Sequence, residues 1–309
     1  MDKRRLAGTD LDVSVICYGP MRAAQDRSDP KLPMHKRAME AAIERGVNFI
    51  HSSYEYGVRW MMHDVLKNHA MRHDLLHVIK APVPDWDDPD FDPVKLEHRI
   101  DEALTELCTD RIALVQWMWR CRPHDEAHRL PRLAAIQDRV AESVERLRDK
   151  GKVGHLACFP YFPDSAVAAM SHPAQQALVA YYNPLEMEMS PVIETLASDG
   201  RGFLAIRPLY EGVLTARFTH HGDVPKEHRL AKDKYIDAFR ARERLVEEFP
   251  EAAADMTRFA IRFPLLSDNC ASVVVGLNSE AQVDEICDCA HQVQSDPETV
   301  DRIKALTTS

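Results

Sequence analysis

The sequence lacks the signals of a membrane-spanning or secreted protein. It contains no run of about 18 consecutive apolar residues, and residues 1–6 do not begin a signal peptide because no apolar segment follows the charges. Its seven cysteines include no C-x-x-C pair, and an odd number in this pattern favours reduced thiols over a disulfide framework. Cys287 and Cys289 form only a C-x-C pair, so no metal site is expected. These absences predict a cytoplasmic location.

The sequence also lacks a basic stripe. Its formal net charge is −10, which argues against nucleic acid and anionic membranes as partners. The expected partner is a small-molecule substrate. No internal repeat or low-complexity tract interrupts the 309 residues, of which 45% are hydrophobic and 28% charged. This length and composition are normal for one α/β barrel, so a single domain over residues 1–309 is predicted.

Apolar strand-like segments alternate with helical patterns along the chain. Residues 5–12 predict a hairpin with its turn at Gly8. The strand-like segments that follow cover residues 13–18, 47–51, 75–80, 112–118, 153–158, 178–182, 203–207 and 272–276. Amphipathic spacing predicts helices over residues 35–45 and 134–150, and the Pro- and Asp-rich residues 81–93 predict a long loop. Eight strand–helix alternations predict a (β/α)8 TIM barrel with an N-terminal β-hairpin.

In such a barrel the chemistry lies at the C-terminal ends of the strands. That rule nominates a set of strand-end residues: Tyr18, His51, Tyr56, Lys80, Met118, Trp119, Arg120, Phe159, Tyr182, Asn183 and Arg207. Among them, a tyrosine and a lysine at neighbouring strand ends suggest an acid pair. A nearby ammonium stabilises phenolate and lowers the tyrosine pKa from its usual value of about 10.

Several spaced motifs resemble those of the aldo/keto reductases. Residues 48–57, N-F-I-H-S-S-Y-E-Y-G, resemble that family's active-site segment, with His51 where the family has aspartate. Further matches are R-R-L-A-G-T at 4–9, L-T-E-L-C-T-D-R-I at 104–112, G-K-V at 151–153, Y-N-P-L at 182–185 and P-L-Y-E-G-V-L-T at 208–215. These matches occur in the family's order and span nearly the whole chain.

The resemblance implies a reductase in which Tyr56 protonates a carbonyl oxygen while NADPH delivers hydride. Lys80 takes the place of the lysine that tunes the tyrosine. His51 takes the place of the tuning aspartate, and Met118 that of the histidine that orients substrate. His51 is expected to be either a substitute base or orienting group, or a structural histidine.

The nicotinamide end of the implied cofactor site departs most from the family. The Ser-Asn pair that bonds the carboxamide falls at Phe159-Pro160, the glutamine at Val179, and the stacking aromatic at Ile206. Each lost polar contact to a buried amide costs about 1–3 kcal/mol. The expected cofactor is therefore NADP or NAD, with the absence of any cofactor as the alternative.

The opposite end of the implied cofactor site retains more of the family pattern. The resemblance assigns cofactor contacts to one residue after the sixth strand, three in the pyrophosphate loop and three near residue 280: Asn183, Leu209, Gly212, Leu214, Ser279, Gln282 and Glu285. The arginine common for a 2′-phosphate has no clear counterpart, although Arg207 and Arg217 supply charge nearby.

Four residues are candidates for substrate contact, each with a plainer alternative. Met118 and Trp119 predict an apolar substrate wall, or simply core packing. Arg120 is a candidate for binding a substrate anion, although loops are commonly rich in such residues, and Arg207 is the better candidate because it ends a strand.

Three functions are consistent with these residues. The first is a divergent oxidoreductase that acts on a carbonyl or alcohol with NAD(P)(H), using Tyr56, Lys80 and His51. The second is a cofactor-independent lyase, isomerase or dehydratase on the same barrel, and the third is a non-catalytic binding protein.

Overall fold

The computed structural model, which describes residues 1–308, forms a closed barrel of eight parallel strands. The barrel strands are β3 (Ile16–Tyr18), β4 (Phe49–Ser53), β5 (Leu76–Pro82), β6 (Ile112–Met118), β7 (Val153–Cys158), β8 (Ala177–Tyr181), β9 (Gly202–Ile206) and β10 (Cys270–Val275). Each pairs with its sequence neighbours, and β10 closes the barrel against β3. The predicted (β/α)8 barrel is confirmed.

An antiparallel hairpin precedes the barrel, as predicted. It pairs β1 (Lys3–Arg5) with β2 (Asp12–Ser14), and Gly8 lies in the turn with a φ of 85°. Leu6 and Val13 pack into the apolar cluster that fills the barrel interior. The hairpin therefore closes the N-terminal end of the barrel and leaves the C-terminal end as its mouth. The single strand predicted over residues 13–18 is divided between hairpin and barrel.

Helices connect the strands and cover the outside of the barrel. They are α1 (Leu32–Glu44), α2 (Arg59–Leu66), α3 (Pro93–Glu106), α4 (Glu126–Asp149), α5 (Pro163–Met170), α6 (Ser190–Ser198), α7 (Ile236–Glu248), α8 (Pro250–Ala254), α9 (Met256–Leu265), α10 (Glu280–Cys289) and α11 (Pro297–Thr308). Helix α4 begins eight residues before the predicted start at residue 134, because Asp125 caps the helix by accepting the His128 N–H at 3.0 Å. None of the described helices is long and apolar enough to cross a membrane.

Candidate active site

A cavity of about 420 Å³ opens at the C-terminal end of the barrel. The strand ends and the loops after them bring His51, Tyr56, Lys80 and Gln116 to its wall. The three residues predicted to be catalytic therefore line one cavity. Gln116, two residues before Met118 on β6, joins them because its side chain points inward like those of Leu114 and Met118.

Tyr56 lies at the end of a short 3-10 turn, Tyr54–Tyr56, directly after β4. Its ring centroid is 5.8 Å from that of His51 and 5.4 Å from the Lys80 ammonium nitrogen. Burial, reinforced by the negative charge of Glu55, raises the pKa of Tyr56 above its ordinary value. The expectation that an ammonium lowers this pKa is therefore wrong, and the phenol keeps its proton at neutral pH.

Lys80 is held by a carboxylate that the sequence analysis did not single out. Its Nζ lies 2.7 Å from Glu55 Oε2. The other oxygen of Glu55 lies 2.6 Å from Nη1 of Arg120, and the same nitrogen lies 2.6 Å from Asp85 Oδ1. Arg120 is 5% exposed and stands behind Glu55. Arg120 does not line the cavity and two carboxylates contact its Nη1, so its binding of substrate stays a prediction.

His51 is buried and neutral. Burial lowers its pKa from 6.5 to about 4. Its Nε2–H donates to Gln116 Oε1 at 2.9 Å, an oxygen that only accepts hydrogen bonds. His51 therefore adds no positive charge beside Lys80 at neutral pH, and it does not replace the negative charge of an aspartate.

The apolar wall of the cavity differs from the one predicted. Met118 points into the barrel interior but is fully buried beneath the cavity. Trp119 faces outward, where its indole N–H donates to the Arg129 carbonyl at 3.1 Å, so the prediction that it contacts substrate is wrong. Phe159 and Tyr181 form the wall instead, with ring centroids 5.2 Å apart.

A second cavity of about 420 Å³ adjoins the first. Leu209, Gly212, Gln282 and Glu285, four of the residues predicted to contact cofactor, line it. Five residues line both cavities: Arg22, Leu209, Glu211, Gly212 and Gly276. The two cavities therefore adjoin at these residues, between the barrel mouth and the start of α10.

Three predicted cofactor contacts are used elsewhere in the fold. Asn183 is fully buried, and its side-chain amide donates to Glu186 Oε2 at 2.6 Å and to the Arg207 carbonyl at 3.0 Å. The Leu214 N–H donates to the Leu209 carbonyl at 3.2 Å. Ser279 caps α10 by accepting the Gln282 N–H at 3.3 Å. The cofactor contacts of Asn183, Leu214 and Ser279 stay predictions, although these groups are bonded within the chain.

Glu211 gathers positive charge at the junction of the two cavities. Its carboxylate lies 3.6 Å from Arg207, 3.8 Å from Arg22 and 2.5 Å from Arg229, and it accepts the Tyr235 hydroxyl proton at 2.8 Å. Arg207 lines the first cavity and also lies 3.2 Å from Glu186. Its positive charge is therefore paired with two carboxylates.

The backbone around Glu211 is strained. Arg207, Tyr210 and Glu211 have positive φ values of 62°, 40° and 58°. Left-handed backbone at residues other than glycine is costly and clusters at functional sites. The loop that carries Glu211 therefore has the character of a ligand-binding segment.

Comparison with known proteins agrees with the barrel fold. The sequence profile of the aldo/keto reductase family matches residues 15–308. The chain is 21% identical to L-galactose dehydrogenase of Arabidopsis thaliana, over 99% of this chain and 94% of the relative. Among solved structures, it resembles aldo-keto reductase AKR11C1 from Bacillus halodurans in its holo form, with a TM-score of 0.76, 20% identity and coverage of 99% and 96% of the two chains. It also resembles glycerol dehydrogenase AKR11B4 from Gluconobacter oxydans, with a TM-score of 0.74, 18% identity and coverage of 99% and 94%. The chain belongs to the aldo/keto reductase family.

Proposed function

We propose that the protein is a nicotinamide-dependent oxidoreductase that interconverts a small carbonyl compound and its alcohol, with Tyr56 exchanging the proton. The observation that carries this proposal is the continuity of the two cavities. The cavity that holds Tyr56 and Lys80 runs past Gly212 and Gly276 into a second, arginine-lined one. A dinucleotide is long and anionic, so two adjoining cavities with arginines in their walls suit such a ligand.

The residues fit the phosphate-bearing part of the cofactor better than its nicotinamide. The second cavity is lined by Arg22, Arg217 and Arg229, whose guanidinium groups suit phosphate. At the barrel mouth, Phe159 and Ile206 offer apolar surface to a flat ring. Because the family's amide-binding positions are apolar here, we expect phosphate contacts and stacking to supply most of the affinity.

The nicotinamide ring, when bound, supplies or accepts the hydride. In carbonyl reduction Tyr56 gives its phenolic proton to the substrate oxygen, and in alcohol oxidation it takes that proton back; its raised pKa keeps the proton on the phenol at neutral pH. No described residue hydrogen-bonds the Tyr56 hydroxyl, which leaves it available to substrate. The Lys80 ammonium nitrogen lies 5.4 Å from the centre of the Tyr56 ring and adds positive charge near the phenol.

Titration of the purified protein with NADPH and NADH tests the proposal first. Micromolar binding of either, with reduction of a carbonyl panel, is the expected result. Tyr56→Phe should then lower kcat by about 10²-fold or more. Tyr18→Phe is the matched control, because the Tyr18 hydroxyl is fully buried on the outer face of β3, with no hydrogen-bond partner among the described residues. Absence of binding at millimolar nucleotide would refute the proposal.

A second candidate is a cofactor-independent lyase, isomerase or dehydratase. The apolar residues Phe159, Val179 and Ile206 at the family's nicotinamide-binding positions favour it. Under this alternative, Tyr56 and Lys80 perform proton transfer alone and substrate fills the space of the nicotinamide. Proton exchange at a carbon beside a carbonyl, measured without nucleotide, distinguishes it from the first.

A further inference from the structure

The Lys80 ammonium has a carboxylate partner that comes from an unexpected position. The family's carboxylate belongs at position 51, where this chain has a neutral histidine bonded to Gln116. Glu55, four residues later, lies 2.7 Å from Lys80 instead. The lost charge of the aspartate is therefore matched by another carboxylate at the same ammonium.

The position of the Glu55 side chain is fixed from several sides. Its backbone N–H donates to Ser53 Oγ at 3.3 Å, which sets the turn. Its second carboxylate oxygen pairs with Arg120 Nη1, and Asp85 contacts the same nitrogen. Asp85 in turn accepts the Tyr54 hydroxyl proton at 2.5 Å. A carboxylate held by this many partners orients the ammonium it contacts more firmly than a mobile surface glutamate would.

We infer that Glu55 is a positioning residue of the active site, taking over at Lys80 the task of the aspartate that His51 replaces. This inference rests on the proposed function for its catalytic meaning, although the pairing itself exists without cofactor. One oxygen orients the Lys80 ammonium beneath the Tyr56 ring, and the other is anchored by Arg120. Glu55 also places a negative charge next to Tyr56, so it opposes loss of the phenolic proton.

The reactivity of the Lys80 amine tests the pairing directly. The cofactor-free protein is treated with acetic anhydride, and the rate of Lys80 acetylation is read by mass spectrometry. Glu55→Gln, which removes the charge at constant size, should raise this rate several-fold, and Glu55→Asp should raise it less. Glu97→Gln is the matched control, because Glu97 pairs with Lys150 and Lys152 on the surface. It should raise the acetylation rate of Lys150 and leave Lys80 unchanged, whereas Lys152 keeps its pairing with Asp101 at 2.6 Å.

Restoring the family's carboxylate provides the decisive comparison. In the Glu55→Gln background, His51→Asp should return the Lys80 labelling rate towards that of the wild type, whereas His51→Asn should not. If Glu55→Gln does not fold, Glu55→Asp with and without His51→Asp gives the same comparison. Unchanged Lys80 labelling in a folded Glu55 variant, or no recovery with His51→Asp, would overturn the inference.

Kinetics separates this inference from the proposed function. If nucleotide binds and carbonyl is reduced, Glu55→Gln should lower kcat by about tenfold to a hundredfold with little change in the KM for nucleotide. A purely structural role predicts a lower melting temperature with unchanged kcat in the folded fraction, and this result would also overturn the inference. If no nucleotide binds, the proposed function fails while the labelling result still decides the pairing.

Discussion

The buried histidine His77 makes the fold sensitive to acid. His77 lies on the outer face of β5, fully buried, and neither ring nitrogen has a hydrogen-bond partner among the described residues. Burial, with a smaller contribution from the charge of Arg59, lowers its pKa from 6.5 to about 4. The folded protein therefore resists protonation of His77, whereas the unfolded chain accepts a proton below about pH 6.5.

The size of this effect follows from the two pKa values. Because the unfolded state binds more protons between pH 6.5 and 4, the free energy of unfolding falls as the pH drops through this window. The difference between 6.5 and about 4 corresponds to about 3 kcal/mol for His77. This stabilisation is fully present above pH 6.5. His51, whose pKa is lowered by burial to the same extent, contributes a similar loss in the same window.

His77→Leu isolates the contribution of one side chain. Between pH 7 and pH 4, the free energy of unfolding of the variant should fall by about 3 kcal/mol less than that of the wild type. At pH 7 it should be more stable by about 1–3 kcal/mol, because it removes a buried polar group without partners. Urea unfolding followed by tryptophan fluorescence at several pH values measures both effects. His73→Gln, at an exposed position, is the control. Parallel pH profiles for His77→Leu and wild type would refute the reasoning.

Two further predictions concern the second cavity. Glu211→Gln should strengthen nucleotide binding several-fold, because the Glu211 carboxylate competes with phosphate for Arg22, Arg207 and Arg229. Calorimetric titration measures this affinity. Weaker binding would show that Glu211 instead organises the arginines for the ligand. Arg217→Ala should reduce the affinity for NADPH by about tenfold and that for NADH much less, if its guanidinium pairs with a 2′-phosphate in the cavity it lines; equal losses for both nucleotides would contradict that pairing.

The barrel was predictable from the sequence because each of its strands is a short apolar run between helical patterns. The exact ends of the strands were less predictable, and a shift of one residue there changes which side chain faces the cavity. The sixth barrel strand was predicted over residues 178–182, but β8 ends at Tyr181. Since neighbouring side chains of a strand point to opposite faces, Tyr181 lines the cavity, while Tyr182 packs outside against Phe203 and Phe263.

The same alternation of side chains explains why Trp119 does not form part of the substrate wall. Trp117 and Trp119 stack on each other outside the barrel, with ring centroids 5.0 Å apart, while Gln116 and Met118 point inward. Counting by two along β6 from its inward residues would have assigned Trp119 to the outer face. Proximity to the end of a strand was an insufficient criterion without the direction of the side chain.

Glu55 was missed for a different reason. It directly precedes Tyr56 in a polar turn, and nothing in its sequence neighbourhood distinguishes it from an ordinary surface glutamate. Its importance arises from Lys80 and Arg120, which come from other strands and meet it only in the folded barrel. Contacts between strand ends that are far apart in sequence are not encoded in local patterns. Absence of the aspartate at position 51 was visible, but the residue that compensates for it was not.

The arrangement around Tyr56 bears on the direction of proton transfer. Glu55 neutralises the Lys80 ammonium by direct pairing, so less of that positive charge is available to stabilise a phenolate. Burial and the charge of Glu55 act on Tyr56 in the same sense, and both favour the protonated phenol. His51 is neutral and does not oppose them. A tyrosine that keeps its proton at neutral pH is suited to give it to an oxygen as negative charge develops there, which is the requirement of carbonyl reduction. Under the proposed function, alcohol oxidation needs the phenolate as a base, so we expect oxidation to require a higher pH than carbonyl reduction at this site.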